Sequence, residues 1–163
     1  MSAVEKTQIE QDYSTPETTV SRFYSAILGP VRKWPLAFSC LAPEGQAKFG
    51  SEKALMSFAD YWEEKLLLLE EFVKERHREF PYTHRTCFFP DRVQLKECSG
   101  TSATVAVELL ENHLAKAPLV IVQVKHLTNH DRRWLLSSGD LEGNLSDIIE
   151  IRKRGNSARD ENA

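Results

Sequence analysis

The sequence lacks the features that mark export, membrane insertion and covalent cross-linking. It has three cysteines in 163 residues and no C-x-x-C pair, so it is not a disulfide framework, and reduced thiols are expected. No apolar stretch is long enough to cross a bilayer, and the N-terminal MSAVEKTQIEQDYS lacks the apolar core of a signal peptide. These absences predict a cytoplasmic protein with no membrane contact.

Catalytic and cofactor-binding motifs are also missing. The chain has seven glycines, with no Gly-rich phosphate loop, no G-x-S-x-G and no nucleophile in a recognisable setting. The stretch HRTC contains the ligand types His84 and Cys87, and His77 lies upstream, but structural zinc needs a second closely spaced pair. We therefore expect no cofactor and no metal.

The charge balance argues against nucleic acid as a partner. The formal net charge is -3, whereas a general nucleic-acid binder usually carries a basic excess. The basic run ERHREF is interleaved with glutamates, which favours a solvated helix face with ion pairs four residues apart. Contact with nucleic acid through the basic tail, residues 152–163, stays open as a third alternative.

Helical signals fill the first half of the chain. Thr15 is a good N-cap, Pro16 suits the first helical position, and Gly29 with Pro30 ends the helix. Pro35 and Pro43 then begin two short helical pieces, and the longest helix follows up to about residue 79. Apolar residues recur at helical spacing in the first and last of these helices, as Val20, Phe23, Tyr24, Ile27 and Leu28, and as Leu55, Phe58, Ala59, Trp62, Leu66, Leu69 and Val73.

After Pro81 the apolar period changes to two, which is typical of strands. The expected strands lie in YTHRTCFF, RVQLKEC, TSATVAVELLENHL, PLVIVQVKHLT and RRWLLSSGD, and short connectors such as TNHDR favour antiparallel hairpins. Helices followed by a meander predict an α+β fold in which N-terminal helices pack on a strongly curved antiparallel sheet. We expect an arm at 1–13, one domain at 14–151 and a tail at 152–163.

The valine-rich strand is expected to turn one row of side chains toward the helices. Val120, Val122, Val124 and His126 alternate on one face and are assigned to the inside. Leu119 and Ile121 lie on the other face, where they would suit a dimer contact. Trp134 and Leu136 of the final strand supply further apolar contacts.

Three stretches together resemble the nuclear-transport-factor-2-like superfamily, which has the cystatin-like cone fold. They are TPETTVSRFYSAI, WPLAFSCLAPEGQAKF, and ATVAVEL followed by VIVQVKHLTNHDRRWLLSSGDL. The chain is most similar to small single-domain bacterial members of unknown function, over roughly residues 14–150. The resemblance implies a cone with an apolar mouth, in a superfamily that includes isomerases, dehydratases, small-molecule binders and dimeric adaptors.

Two functions follow as hypotheses. The first is a non-enzymatic module that binds a partner protein or a small apolar ligand, as a homodimer that pairs through the sheet face. The second is a small isomerase or dehydratase in which His126 and Asp140 transfer protons, because an ionisable group in an apolar cavity acquires a useful pKa. The expected pocket residues are Tyr24, Phe58, Trp62, Val122, Val124, His126 and Trp134.

Overall fold

The computed structural model describes residues 13–76, 88–111, 118–140 and 145–148. Within these residues, helices come first and an antiparallel sheet with the order β1-β2-β3-β4 follows. The predicted α+β class is therefore confirmed, whereas strong curvature of the sheet stays a prediction. The elements are α1 (Pro16–Leu28), α2 (Trp34–Ser39), α3 (Pro43–Ala47), α4 (Ala54–Arg76), β1 (Phe88–Cys98), β2 (Ser102–Glu111), β3 (Val120–His130) and β4 (Arg133–Leu136).

Helix α1 begins and ends at the residues that the capping signals predict. The Oγ1 atom of Thr15 accepts a hydrogen bond from the backbone N–H of Thr18 at 3.2 Å. At the other end, Gly29 N–H donates to Ser25 O, and a Cβ on Gly29 would lie 2.9 Å from that same oxygen. The buried side of α1 lies against β1, β2 and β4, so this helix covers one face of the sheet.

Aromatic rings from α1 and α4 form the centre of the core. The ring of Phe23 lies 6.3 Å from that of Phe58 and 6.0 Å from that of Trp62, measured between centroids. Edge-to-face and tilted arrangements at this separation are favourable beyond the area they bury. The predicted apolar stripe of α4 is confirmed at Phe58, Trp62, Leu66, Leu69 and Val73, which are all buried, whereas Ala59 is half-buried and Leu55 is exposed.

The outer edge of β4 is hydrogen-bonded by segments from the beginning of the chain. Trp134 N donates to Tyr13 O at 2.9 Å, and Leu136 N donates to Cys40 O at 2.8 Å. Leu136 O in turn accepts from Ala42 N at 2.7 Å. Tyr13, which the sequence analysis assigns to the arm, is therefore a buried part of the fold.

At the opposite edge of the sheet, strand β1 is long and irregular. Its pairing with β2 shifts register between Pro90 and Arg92 and again between Leu95 and Glu97. Such irregularities bend a strand and, together with proline and charged side chains, discourage pairing with another strand. Of the predicted strand YTHRTCFF only Phe88 and Phe89 are described, and His77, His84 and Cys87 lie outside the described residues.

The β3–β4 connection is a tight hairpin, as the TNHDR stretch predicts. Asp131 and Arg132 both have positive φ, at 54° and 67°, between the paired residues His130 and Arg133. Two positive φ angles match the twist of the flanking strands, although glycine or asparagine is the usual occupant. Arg132 N donates to the Oδ1 atom of Asn129 at 3.0 Å, which helps to hold the turn.

Adding one methyl group at Gly139 should destabilise the fold. A Cβ there would lie 2.7 Å from Cδ1 of the buried Leu41, whereas a Cβ on Gly100 would meet nothing within 4 Å. We expect Gly139→Ala to lower the free energy of unfolding by about 1–3 kcal/mol, because overpacking displaces neighbouring side chains. Urea denaturation should show this loss, with Gly100→Ala as the matched control that changes little. Equal stability of both variants would contradict the packing described here.

Cys40 and Cys98 should differ in reactivity toward alkylating reagents. Burial raises the pKa of the Cys40 thiol to about 12, partly offset by the charge of Arg22, while Cys98 is exposed. Since the thiolate is the nucleophile, iodoacetamide at neutral pH should label Cys98 and spare Cys40 until the chain is unfolded. Peptide-resolved mass spectrometry measures each site separately, and rapid native labelling of Cys40 would show that its burial is wrong.

The raised pKa of the Cys40 thiol also predicts how the stability of the fold changes at alkaline pH. The folded state holds the Cys40 proton more tightly than the unfolded state, so the free energy of unfolding should fall as pH rises from about 9 toward 12. Cys40→Ala should therefore reduce the fall in the free energy of unfolding at alkaline pH.

Candidate functional site

The expected inward row of β3 faces away from the helices. Val120, Val122 and Val124 are 47%, 40% and 45% exposed, and His126 is exposed as well. The buried row of the strand is instead Ile121, Gln123, Lys125 and Leu127. The predicted orientation of β3 is therefore wrong, and Ile121, which was assigned to a dimer contact, belongs to the core.

The pairing of β3 with its neighbours explains this orientation. Residues directly opposite each other in an antiparallel pair point to the same face. The fully buried Val105, Val107 and Leu109 of β2 lie opposite Lys125, Gln123 and Ile121. On the other side of β3, Leu127 lies opposite the buried Leu136 of β4. The apolar rows of the two neighbouring strands thus place Gln123 and Lys125 in the core.

Four of the predicted pocket residues are core residues. Tyr24, Phe58, Trp62 and Trp134 are all buried. Phe58 is in ring contact with several aromatic side chains, and the indole N–H of Trp62 donates to Gly139 O at 2.8 Å. The polar atom of this tryptophan is thus engaged within the protein, which fits a packing role.

The proposed proton-transfer pair is not assembled among the described residues. His126 Nδ1 lies 3.2 Å from Thr104 Oγ1 on the solvent-facing side of the sheet. The Asp140 carboxylate lies 3.8 Å from Lys48 Nζ and is partly exposed. No hydrogen bond or ion pair between His126 and Asp140 occurs in the described parts of the chain.

Strand β3 contains two buried polar side chains that its sequence pattern does not predict. Gln123 and Lys125 are each 1% exposed. Lys125 Nζ donates to Asp140 O at 3.3 Å and lies 5.8 Å from the centre of the Phe23 ring. Gln123 Nε2 donates to Val122 O, whereas Gln123 Oε1 is buried and has no partner in the described part of the chain. The sequence of β3 alone does not indicate these positions, because its valine row is more apolar than the row that contains Gln123 and Lys125; the pairing with β2 and β4 does.

The side of the sheet that faces away from α1 carries several exposed apolar side chains among polar and charged ones, and we call it the open face. It includes Val120, Val122 and Val124 of β3, and Phe89 of β1 is 38% exposed in the same cross-strand row as Leu110 and Val120. Single exposed apolar residues are normal, but several in one patch mark an interaction surface. The open face comprises Phe89, Arg92, Gln94, Glu97, Thr104, Ala106, Glu108, Leu110, Val120, Val122, Val124 and His126.

A groove is present on the side of the sheet that α1 covers. It has a volume of about 390 Å³ and is lined by Glu17, Thr18, Ser21, Arg22 and Val93, between α1 and β1. None of the predicted pocket residues lines it. Its lining mixes opposite charges and hydroxyl groups, so it does not correspond to the expected apolar mouth.

Comparisons with known proteins give no family for the chain. No family model, no curated protein and no solved structure matches it. In the described residues, no helix has the length and apolar character needed to cross a membrane. The same residues contain no group of three or more His, Cys, Asp and Glu side chains that could hold a metal ion.

Replacing Gln123 with leucine should not weaken the fold. An unpaired buried acceptor costs about 1–3 kcal/mol, and leucine has a similar volume without that polar atom. We expect Gln123→Leu to leave the free energy of unfolding unchanged or to raise it by about 1 kcal/mol, as measured by urea denaturation. A clear loss of stability would show that the polar contacts of Gln123, which include the hydrogen bond from Nε2 to Val122 O, outweigh the cost of the unpaired Oε1.

Proposed function

We propose that the protein is a non-enzymatic cone-fold module of the cytoplasm that binds a protein surface through the open face. The observation that carries this proposal is the exposed row Val120, Val122 and Val124, on the part of β3 that precedes its pairing with β4. A homodimer is the assembly that the sequence favours. A small apolar ligand is the other occupant expected from the sequence, and the proposal places the binding surface outside the core.

The size of the apolar patch supports a binding role. Burying a complete valine side chain contributes about 1.5–3 kcal/mol, so covering the exposed parts of three such residues contributes about 2–4 kcal/mol. Phe89 and Leu110 lie opposite each other at the same end of the face and add to the area. Because association costs about 4–15 kcal/mol in lost translational and rotational freedom, a partner must contact more of the open face than the valine row in order to bind.

The arrangement of the interior supports an enzymatic function less well than a binding function. Proton transfer needs two groups that approach the same bound molecule, and geometry comes before pKa in such an assignment. His126 lies on the open face, and Asp140 pairs with Lys48. The rings of Phe23, Phe58 and Trp62 pack against one another where the sequence analysis expects a ligand.

A charge in the middle of the valine row should abolish binding. In a pull-down from a lysate of its source cells, tagged wild-type protein should capture partner proteins, including a differently tagged copy of the chain. We expect the tagged Val122→Lys variant to capture these proteins no longer. Val31→Lys is the matched control, because Val31 is 73% exposed and lies in the loop between α1 and α2. Quantitative mass spectrometry of the captured proteins measures the difference.

The proposal fails if Val122→Lys and wild-type protein capture the same proteins in equal amounts. Thermal unfolding of both lysine variants serves as the folding control. Because both positions are exposed, neither variant should change stability by more than about 0.5 kcal/mol.

A further inference from the structure

We infer that the backbone of β3 from Val120 to Val124, which we call the free edge, binds an extended segment of a partner protein as an added antiparallel strand. The partner segment alternates apolar and polar side chains and carries an arginine or lysine among the apolar ones. This inference rests on the proposed function, because it states how a protein that contacts the open face is held there.

Two hydrogen bonds to β2 determine the direction of each backbone group in β3. Leu119 O accepts from Glu111 N at 2.8 Å, and Asn129 N donates to Thr101 O at 2.9 Å. Because successive residues of a strand direct their N–H and C=O groups to opposite sides, the odd-numbered residues of β3 face β2. The residues whose N–H and C=O groups point away from β2 are Val120, Val122, Val124 and His126.

Strand β4 does not extend along the free edge. It pairs only with the last four residues of β3, and Ser137 N then donates to His126 O at 3.0 Å. The chain next turns toward the helical side of the sheet, where Trp62 Nε1 donates to Gly139 O at 2.8 Å. In the described part of the chain, no backbone group pairs with the free edge on the side away from β2.

The free edge lacks the features that protect edge strands from pairing with other chains. Strand β1, at the opposite edge of the sheet, contains Pro90 and two register shifts. The pairing of β2 with β3 is continuous from Ser102 to Leu110, and the free edge, VIVQV, contains neither proline nor charge. A regular apolar edge of this kind is suited to the addition of an extended segment through main-chain hydrogen bonds.

One acceptor on the free edge is bound by a side chain instead of a strand. Gln123 Nε2 donates to Val122 O at 2.9 Å, while Gln123 Oε1 is buried without a partner among the described residues. A carbonyl oxygen has two lone pairs, so Val122 O still accepts from an added strand. The N–H and C=O groups of Val120 and Val124 and the N–H of Val122 complete the set that aligns this strand.

The charge of the added strand is predicted from the open face beside the free edge. Glu108 lies opposite Val122 and is the only acidic or permanently charged residue of β2 and β3 on this face. An added strand lies about 4.8 Å from β3 and about 9.6 Å from β2, so a long cationic side chain next to Val122 reaches the Glu108 carboxylate. Arg92 is on the other side of Glu108, and Glu97 of β1 adds a second carboxylate to the open face.

Binding of a designed peptide to the full chain tests strand addition. The probe is acetylated and amidated TVTRTVT, whose valines and arginine turn both their side chains toward the open face and their N–H groups toward β3. In an NMR titration of the 15N-labelled protein, the amide signals of Val122 and Val124 should shift with a Kd on the order of 100 µM. No binding at millimolar peptide overturns the inference.

N-methylation of the peptide separates main-chain pairing from apolar contact. Methylating both valine nitrogens removes donors that face β3 and should raise the Kd by at least about 10-fold. The matched peptide with methyl groups on its second and third threonines keeps those donors and should bind within about threefold of the parent. Equal Kd values for the two methylated peptides overturn strand addition.

A proline at the free edge gives the corresponding test on the protein. Val122→Pro removes an N–H that β2 does not use, and proline is tolerated in an edge strand at such a position. We expect it to raise the peptide Kd by at least about 10-fold, whereas Val122→Thr keeps the N–H and should stay within about threefold. Thermal unfolding checks that both variants fold, and the methylated peptides decide the question if Val122→Pro does not.

A neutral residue at position 108 tests the predicted cation. Glu108→Gln should raise the Kd of TVTRTVT by about threefold at low salt and leave that of TVTQTVT unchanged, because only the first peptide carries a charge. An unchanged Kd for TVTRTVT overturns the assignment of a cation to the partner segment.

The pull-down of the proposed function, repeated with Val122→Pro, separates the two proposals. Proteins lost by Val122→Lys but kept by Val122→Pro leave the proposed function intact and overturn strand addition, whereas proteins kept by both variants overturn both. Loss from both supports strand addition when methylation of the valines also abolishes peptide binding. A chain that dimerises in sedimentation and loses only this dimer in Val122→Pro has a second copy at the free edge, which overturns the inference.

Discussion

The pairing of β2 with β3 determines which side of the sheet meets the helices. Val105, Val107 and Leu109 are completely buried, and antiparallel register places Lys125, Gln123 and Ile121 beside them. A shift of one residue would exchange the two faces of β3, because side chains alternate along a strand. The exposed valines, the buried lysine and the free apolar surface are therefore consequences of a single register.

Local signals in the sequence could predict the helices because capping acts between near neighbours. Thr15 and Gly29 bound α1 as expected, and the buried residues of α4 recur at the predicted spacing. The hairpin at Asp131 and Arg132 likewise follows from a short polar connector. These features depend on residues a few positions apart, so they can be predicted from the local sequence.

The candidate site could not be predicted in the same way, because it depends on contacts between distant residues. In the sequence of β3 alone, the row of valines is more apolar than the row that contains Gln123 and Lys125. Hydrophobicity therefore predicts that the valines face the helices, which is wrong. Leu136 opposite Leu127, together with the apolar row of β2, decides the orientation. The buried Lys125 is accommodated by Asp140 O and the ring of Phe23, which come from elsewhere in the chain.

The hydrogen bonds at the outer edge of β4 have a consequence for the order of folding. Leu136 is joined to Cys40 and Ala42, so residues almost a hundred positions apart must meet before this edge is complete. Contacts of such high sequence separation form slowly, since the closure of a long loop must precede them. During synthesis on the ribosome, the segment around Cys40 thus emerges well before its partner, and the last strand completes the sheet only when most of the chain is available.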